Sequence, residues 1–228
     1  MACGAIGTSS NLVSCPMNII ELFAGTKSFS NVAKNRGHDT WTTDFNKKFD
    51  VDYHDDISNI SLNDIPKKFH NPDILWASPP CQCFSVASFS AGHFKRVQID
   101  YEFRYIPLTK QAKKSINNIY DTFRLIGELN PTYWFIENPR GIMRKLSIMQ
   151  DINKNSVTYC QYGDERMKPT DIWNNYYQWK SKPMCKNGDK CHISAPRGSR
   201  TGTQGRLNAT ERAKVPSKLC NEIIKLLE

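Results

Sequence analysis

Short apolar runs that stop abruptly at glycine or proline restrict the fold of this chain more than any other feature. NIIELFA (18–24) ends at Gly25, ILWA (74–77) ends just before Pro79 and Pro80, and YWFIEN (133–138) is cut off by Pro139. Such runs read as strands. Asp39–Asp44 reads as a further strand ending on an acid, and VTYCQ (157–161) and DIW (171–173) as weaker ones. Between them lie helix-like segments. One covers about Ser28–Arg36 and closes at Gly37; Thr109–Leu129 is proline-free, with Ile116, Ile119, Tyr120, Phe123, Ile126 and Leu129 at helical spacing. Strands alternating with helices predict an α/β fold, a mostly parallel sheet with helices on both faces. Such sheets bind ligands outside the carboxyl ends of their strands, where the polar motifs of this chain fall.

The chain's 228 residues suit one domain with at most a small appendage. Residues 1–16 lack the basic start and apolar core of a secretory signal and read as a leader or extension ahead of a second start at Met17. The main body of the fold is expected over 17–175, a basic, phosphate-facing segment over 176–212, and a C-terminal helix over 213–228. No apolar run approaches the roughly 18–20 residues that span a bilayer, so no membrane partner is expected. Eight cysteines without disulfide spacing predict reduced thiols and a cytoplasmic location. A net charge of +9 points to an anionic partner, nucleic acid first. That charge concentrates in 176–212, where Lys180, Lys182, Lys186, Lys190, Arg197, Arg200, Arg206 and Arg212 face only Asp189 and Glu211. No protein partner is evident and a monomer is expected. Residues 86–108 read as a loop long enough to be functional.

Three stretches carry chemistry. In ELFAGTKSFS (21–30), a strand running through a tight glycine turn into a helix makes a ligand cradle of backbone N–H groups. Asp44 and Asp56 downstream suit ribose hydroxyls and an exocyclic adenine amine. In ILWASPPCQCFS (74–85), two fixed φ angles present Cys81 as a positioned thiol, a soft nucleophile when ionised. Packing filler, or a Cys81–Cys83 metal or redox pair, are the competing readings. Glu137, at the end of an apolar strand, suits proton donation to a heteroaromatic nitrogen if kept protonated by desolvation.

LFAGTKSF, SPPCQCFS, IENPRG and a final KVPSKLCNEIIKLL, in this order, resemble the DNA cytosine-5 methyltransferases from about Met17 to the C-terminus. The resemblance implies the Rossmann-like S-adenosylmethionine-dependent methyltransferase fold and methyl transfer to C5 of a flipped-out cytosine in DNA. It implies that Phe23, Ala24, Gly25, Thr26, Lys27, Ser28 and Phe29, with Asp44, Asp56, Ile57, Pro79, Lys214 and Val215, hold S-adenosylmethionine. Cys81 is then the nucleophile and Glu137 its acid partner. Gln82, Ser85, His93, Lys95 and Arg96 are expected to close on DNA, and Arg197, Arg200 and Arg206 to meet its phosphates.

The chain departs from the family in several places. Lys27 and Ser28 replace two glycines of the cofactor turn, Pro139 replaces a valine, and Ala213-Lys214 replaces Gly-Asn. QYGDERMKPTDIW (161–173) stands where the family has Gln-x-Arg-x-Arg, leaving Arg166 and Lys168 to orient Glu137 and the base. Lys27 and Lys214 raise a second donor, carboxy-S-adenosylmethionine, whose extra carboxylate a cation would select. RNA is a second substrate reading, and a catalytically silent DNA-binding or zinc module a third. The short recognition segment predicts a short or relaxed target, and the compact size suits a phage or other mobile element, hence a bacterial host cytosol. Cys185, Cys191 and His192 form a C-x5-C-H set that could ligate zinc with a fourth ligand from elsewhere, Cys160 being one candidate.

Overall fold

The computed structural model describes residues 15–194 and 208–228. A six-stranded sheet runs through it in the order β2-β1-β3-β6-β8-β7. The strands are β1 (Asn18–Leu22), β2 (Asp39–Thr43), β3 (Ile74–Ala77), β6 (Tyr133–Pro139), β7 (Lys154–Thr158) and β8 (Pro169–Asn174). The first four strands in that order pair parallel, whereas β8 is antiparallel to both β6 and β7. From β1 the chain goes to β2 on one side and then to β3 on the other. The carboxyl ends of β1 and β3 therefore flank a topological switch point, where open α/β sheets bind ligands.

Both faces of the sheet are covered. Ile20, Leu22, Leu75, Ala77 and Ile136 pack on one face with Ile119, Leu125 and Leu129 of α2 (Lys110–Leu129). On the other face Ile19, Ile74, Trp76 and Phe135 meet α1 (Ser28–Asn35) and the C-terminal helix (Ser217–Leu227) through Phe29, Ala33, Leu219 and Ile223. Phe29 stacks on Trp76 with ring centroids 4.6 Å apart. Helix α2 begins where the Thr109 hydroxyl accepts the Ala112 N–H at 3.1 Å, and it stops at Asn130 in the left-handed region. Among the described residues no helix is long and apolar enough to cross a membrane.

Two expectations are corrected. Residues 86–108 are not a loop: a 3₁₀ segment, Val86–Ala91, leads into an antiparallel hairpin of β4 (Phe94–Ile99) and β5 (Glu102–Pro107). The two turn residues, Asp100 and Tyr101, both have positive φ, the geometry of a tight hairpin turn. Tyrosine is a rare occupant there, so the turn carries no glycine or asparagine signal. The strand placed over 157–161 ends at Thr158, and Tyr159–Tyr162 instead coils into a 3₁₀ turn. That turn closes at Gly163, whose φ is 87°.

Candidate functional site

The turn after β1 is strained in the way ligand cradles often are. Phe23, Gly25 and Lys27 all have positive φ, of 55°, 48° and 56°. Lys27 thus occupies a left-handed position that suits glycine better, the residue the resemblance expects there. Helix α1 has no capping side chain of its own at Lys27. Glu21, buried in β1, does that work instead: its carboxylate accepts the N–H groups of Phe29 at 3.2 Å and Ser30 at 2.8 Å. Burial pushes the Glu21 carboxyl up to about 6 against those hydrogen bonds. Asp44 ties the turn to the end of β2, accepting the Gly25 N–H at 3.0 Å. A cleft beside it is lined by Phe23, Thr43, Asp44, Phe45, Asp55, Asp56, Ile57, Ile60 and Asn118. The Thr43 hydroxyl and the Asn118 side-chain carbonyl are buried there without a hydrogen-bond partner, so the cleft offers a polar ligand atoms that the chain leaves unmatched.

From the C-terminal side, the Val215 N–H reaches the Ser28 hydroxyl at 3.2 Å. Thr26, Ser28, Lys214 and Val215 line a cleft of about 700 Å³ that extends to Tyr162 and Lys218. The two cations of interest already have carboxylate partners, Lys27 with Asp50 at 2.7 Å and Lys214 with Glu211 at 2.8 Å. Asp56 accepts from Ser58 and pairs with Lys114 at 2.5 Å.

Cys81 follows β3 and Glu137 lies near the end of the adjacent parallel strand β6, and two contacts lock their segments together. The Asn138 side-chain amide donates to the Pro79 carbonyl at 2.8 Å, and the Ile142 N–H donates to the Phe84 carbonyl at 2.7 Å. The second contact is possible only because residue 141 is glycine: a Cβ there would lie 2.0 Å from the Phe84 oxygen. The Cys81 carbonyl accepts the N–H groups of both Phe84 and Ser85 at 3.0 Å, which fixes the turn carrying the thiol. Burial raises the Cys81 thiol above its ordinary pKa; Lys168 and Arg212 pull it down, and Glu137 adds to the rise.

Glu137 is buried, and the phenol of Tyr159 donates to it at 2.6 Å. Burial and the neighbouring Glu137 hold that phenol far above its usual pKa, so Tyr159 remains a donor. Lys168 lies 3.8 Å from the same oxygen and donates to the Arg212 carbonyl at 3.2 Å. Arg166 does not join Glu137. Its guanidinium is taken by Asp164, two residues away, and by the Arg212 carbonyl, a geometry favoured because Asp164 is the nearer acid on the same turn. Sequence reasoning assigned no role to Glu21, Gly141 or Tyr159, although Glu21 opens ELFAGTKSFS and Gly141 closes IENPRG.

Beside the pair, a cleft of about 430 Å³ runs past Ser85, Phe89, Pro139, Arg140, Lys145 and Lys168. Gln82 is exposed and accepts from Gln111 at 3.3 Å, and His93 contacts the Thr109 hydroxyl at 2.9 Å. Lys95 and Arg96 are exposed on β4, where Arg96 lies 3.6 Å over the Phe103 ring. Arg197, Arg200 and Arg206 lie outside the described residues. Cys160, Cys185, Cys191 and His192 do come together, their ligand atoms all within 4.8 Å of one another.

Residues 17–162 match the family model of the C-5 cytosine-specific DNA methylases. The chain is 28% identical over 92% of its length to the whole of a Frog virus 3 protein described as "Probable DNA (cytosine-5)-methyltransferase". Among solved structures, the Entamoeba histolytica methyltransferase EhMeth is 16% identical, with a TM-score of 0.48 over 74% of this chain and 56% of that one. The S. pombe Dnmt2 methyltransferase is 13% identical, with a TM-score of 0.46 over 74% of this chain and 52% of that one. The chain thus spans about half the length of these two solved chains. With the family model covering well over half of its residues, the chain belongs to the C-5 cytosine-specific DNA methylases.

Proposed function

We propose that the protein methylates cytosine C5 in DNA, with S-adenosylmethionine as donor and Cys81 as covalent nucleophile. The observation that carries this reading is the locked pairing of a positioned thiol with a buried carboxyl, Cys81 and Glu137, beside a cation-lined cleft. The cradle of Phe23–Phe29, with Asp44, Asp56, Ile57, Pro79 and Val215, would hold the donor, and the unmatched Thr43 and Asn118 oxygens fit a polar ligand there. When bound, S-adenosylmethionine supplies an electrophilic methyl group. The carboxylate partners of Lys27 and Lys214 favour this donor over a carboxylated one.

Cytosine C5 is too poor a nucleophile to react unaided. The Cys81 thiolate adds to C6, forming an S–C6 bond, while Glu137 gives a proton or hydrogen bond to N3. The electron pair pushed out of the C5–C6 bond makes C5 enamine-like and able to accept the methyl group. A base then removes the C5 proton, the C5–C6 double bond re-forms, and the thiolate leaves. A thiol suits both ends of this cycle because it is soft on entry and a good leaving group on exit. In a duplex the cytosine must first leave the stack, at a cost of a few kcal/mol. Arg140, Lys145 and Lys168 line the cleft that would receive it, and Lys95 and Arg96 extend the basic surface onto the hairpin. A reduced cytosolic setting keeps the thiol competent.

Incubation with S-adenosylmethionine and duplex DNA containing 5-fluorocytosine tests the reading, because fluorine at C5 blocks the final elimination. Intact mass should show protein plus DNA plus a methyl group, and none of it with Cys81→Ser. Adduct formation should quicken with rising pH, since the Cys81 thiol is held above its ordinary pKa and more thiolate forms in alkaline solution. Folded, DNA-binding protein that forms no adduct would overturn the covalent reading and turn attention to RNA and to the carboxylated donor.

A further inference from the structure

We propose that Cys160, Cys185, Cys191 and His192 bind a structural zinc ion that staples the start of the basic segment to the catalytic domain. The proposal stands apart from the methyl-transfer reading, which uses none of the four residues.

The ligands come from two stretches of chain. Cys160 sits in the 3₁₀ turn after β7, whereas Cys185, Cys191 and His192 belong to 176–194, described residues that contain neither helix nor strand. Three sulfurs and one imidazole nitrogen converge there. A tetrahedral zinc with Zn–S near 2.3 Å and Zn–N near 2.05 Å requires S···S edges of about 3.8 Å and S···N edges of about 3.6 Å. Cys160 and Cys191 are 3.6 Å apart, Cys185 lies 3.7 Å from His192 Nδ1, and Cys191 lies 3.5 Å from it. The Cys160–Cys185 edge is tighter, at 3.0 Å, and is the one that must open slightly around an ion. It is still far longer than the roughly 2.05 Å of a disulfide bond.

The surroundings behave as ligand supports. His192 uses Nδ1 toward the sulfurs and turns Nε2 toward the Ser194 hydroxyl at 3.5 Å, the outer partner that orients a metal-bound imidazole. The Gln161 side-chain amide lies 3.6 Å from the Cys191 sulfur, and the Cys185 N–H donates to the Thr158 hydroxyl at 3.1 Å. Three thiolates and an imidazole select zinc over hard cations, and four protein ligands leave no open position, so the ion is structural. Its binding releases the thiol protons.

The staple has a consequence for the site. The Ile193 N–H donates to the Glu165 carbonyl at 2.9 Å, so the cluster fixes the turn that continues to Lys168 beside Glu137.

The test is elemental analysis of the full-length protein, purified reduced and without chelator. It should carry about one zinc per chain, and cobalt substitution should give the intense visible bands of a tetrahedral thiolate site. Cys191→Ser alters the exposed ligand and should remain folded while losing most of its zinc and its cobalt spectrum. Less than about half an equivalent of zinc after reconstitution of folded, reduced protein would overturn the proposal. So would iron in place of zinc, or a Cys160–Cys185 disulfide in protein trapped directly from cells. Because the readouts are metal content and spectrum, failure here leaves the adduct experiment untouched, and the reverse holds too.

Discussion

The strand ends that carry Cys81 and Glu137 and the β4–β5 hairpin that projects beside them are built on opposite plans. At the strand ends the locking contacts reach across segments, Asn138 to Pro79, Ile142 to Phe84, and Glu137 to Tyr159 and Lys168, beside the local turn at Cys81. The hairpin is held chiefly by its own ladder and the Arg96–Phe103 contact, with Phe94 and Tyr105 packed on the core and Tyr101, Phe103 and Ile106 exposed. The difference is one of tolerance. A covalent reaction needs atoms placed to fractions of an ångström, whereas a surface that meets a deformable polymer needs charge and reach. Local stability should follow the same division, with the strand ends opening only with the whole fold and the hairpin opening on its own.

The comparison is tested most severely at Gly141. Gly141→Ala puts a methyl group 2.0 Å from the Phe84 carbonyl oxygen, so the two segments must separate. Destabilisation of about 1–3 kcal/mol in urea titration is expected. The adduct rate should fall on the order of a hundredfold, since displacing reacting groups by about 1 Å costs that much. An unchanged rate in a variant that has clearly lost stability would show that the lock between the segments is not what positions Cys81.

Tyr159→Phe sharpens the same contrast more gently. It deletes one donor to the buried Glu137 carboxyl group and leaves the packing in place. Losing such a hydrogen bond costs about 0.5–1.5 kcal/mol, roughly two- to twelvefold. That loss should appear in kcat, with DNA affinity unchanged, because Tyr159 acts through Glu137 rather than on the duplex. A change in KM alone would make Tyr159 a packing residue only.

The same division explains what the sequence disclosed. Cys81 and Glu137 were legible because each closes an apolar run at a proline, and α2 because its apolar stripe is long and regular. Glu21 was not: a buried acid in a strand looks like any other until the helix it caps folds back over it. Tyr159 reaches Glu137 across 22 residues of chain, and no local pattern encodes that reach. Tyr159 also lay inside a run that read as strand, and its apolar neighbours hid the turn. The hairpin was missed for a different reason, since its turn places Tyr101, not glycine, at positive φ. The cysteine–histidine cluster shows the converse: C-x5-C-H gave three candidate ligands and Cys160 a candidate fourth, and the fold brings all four together.

The smallest effect belongs to the hairpin. Phe103→Ala removes the ring under Arg96 and leaves the strand ends untouched. An exposed contact of this kind is worth about 0.5–1 kcal/mol, so global stability should barely move. DNA affinity should fall by less than tenfold, because Arg96 keeps its charge and loses only its preferred orientation. The adduct rate at saturating DNA should stay at the wild-type value. A large loss at saturation would mean that the hairpin helps to place the base and not merely to gather the duplex. The two regions would then be coupled, and the hairpin's self-contained ladder would have to be seen as a rigid arm of the catalytic site.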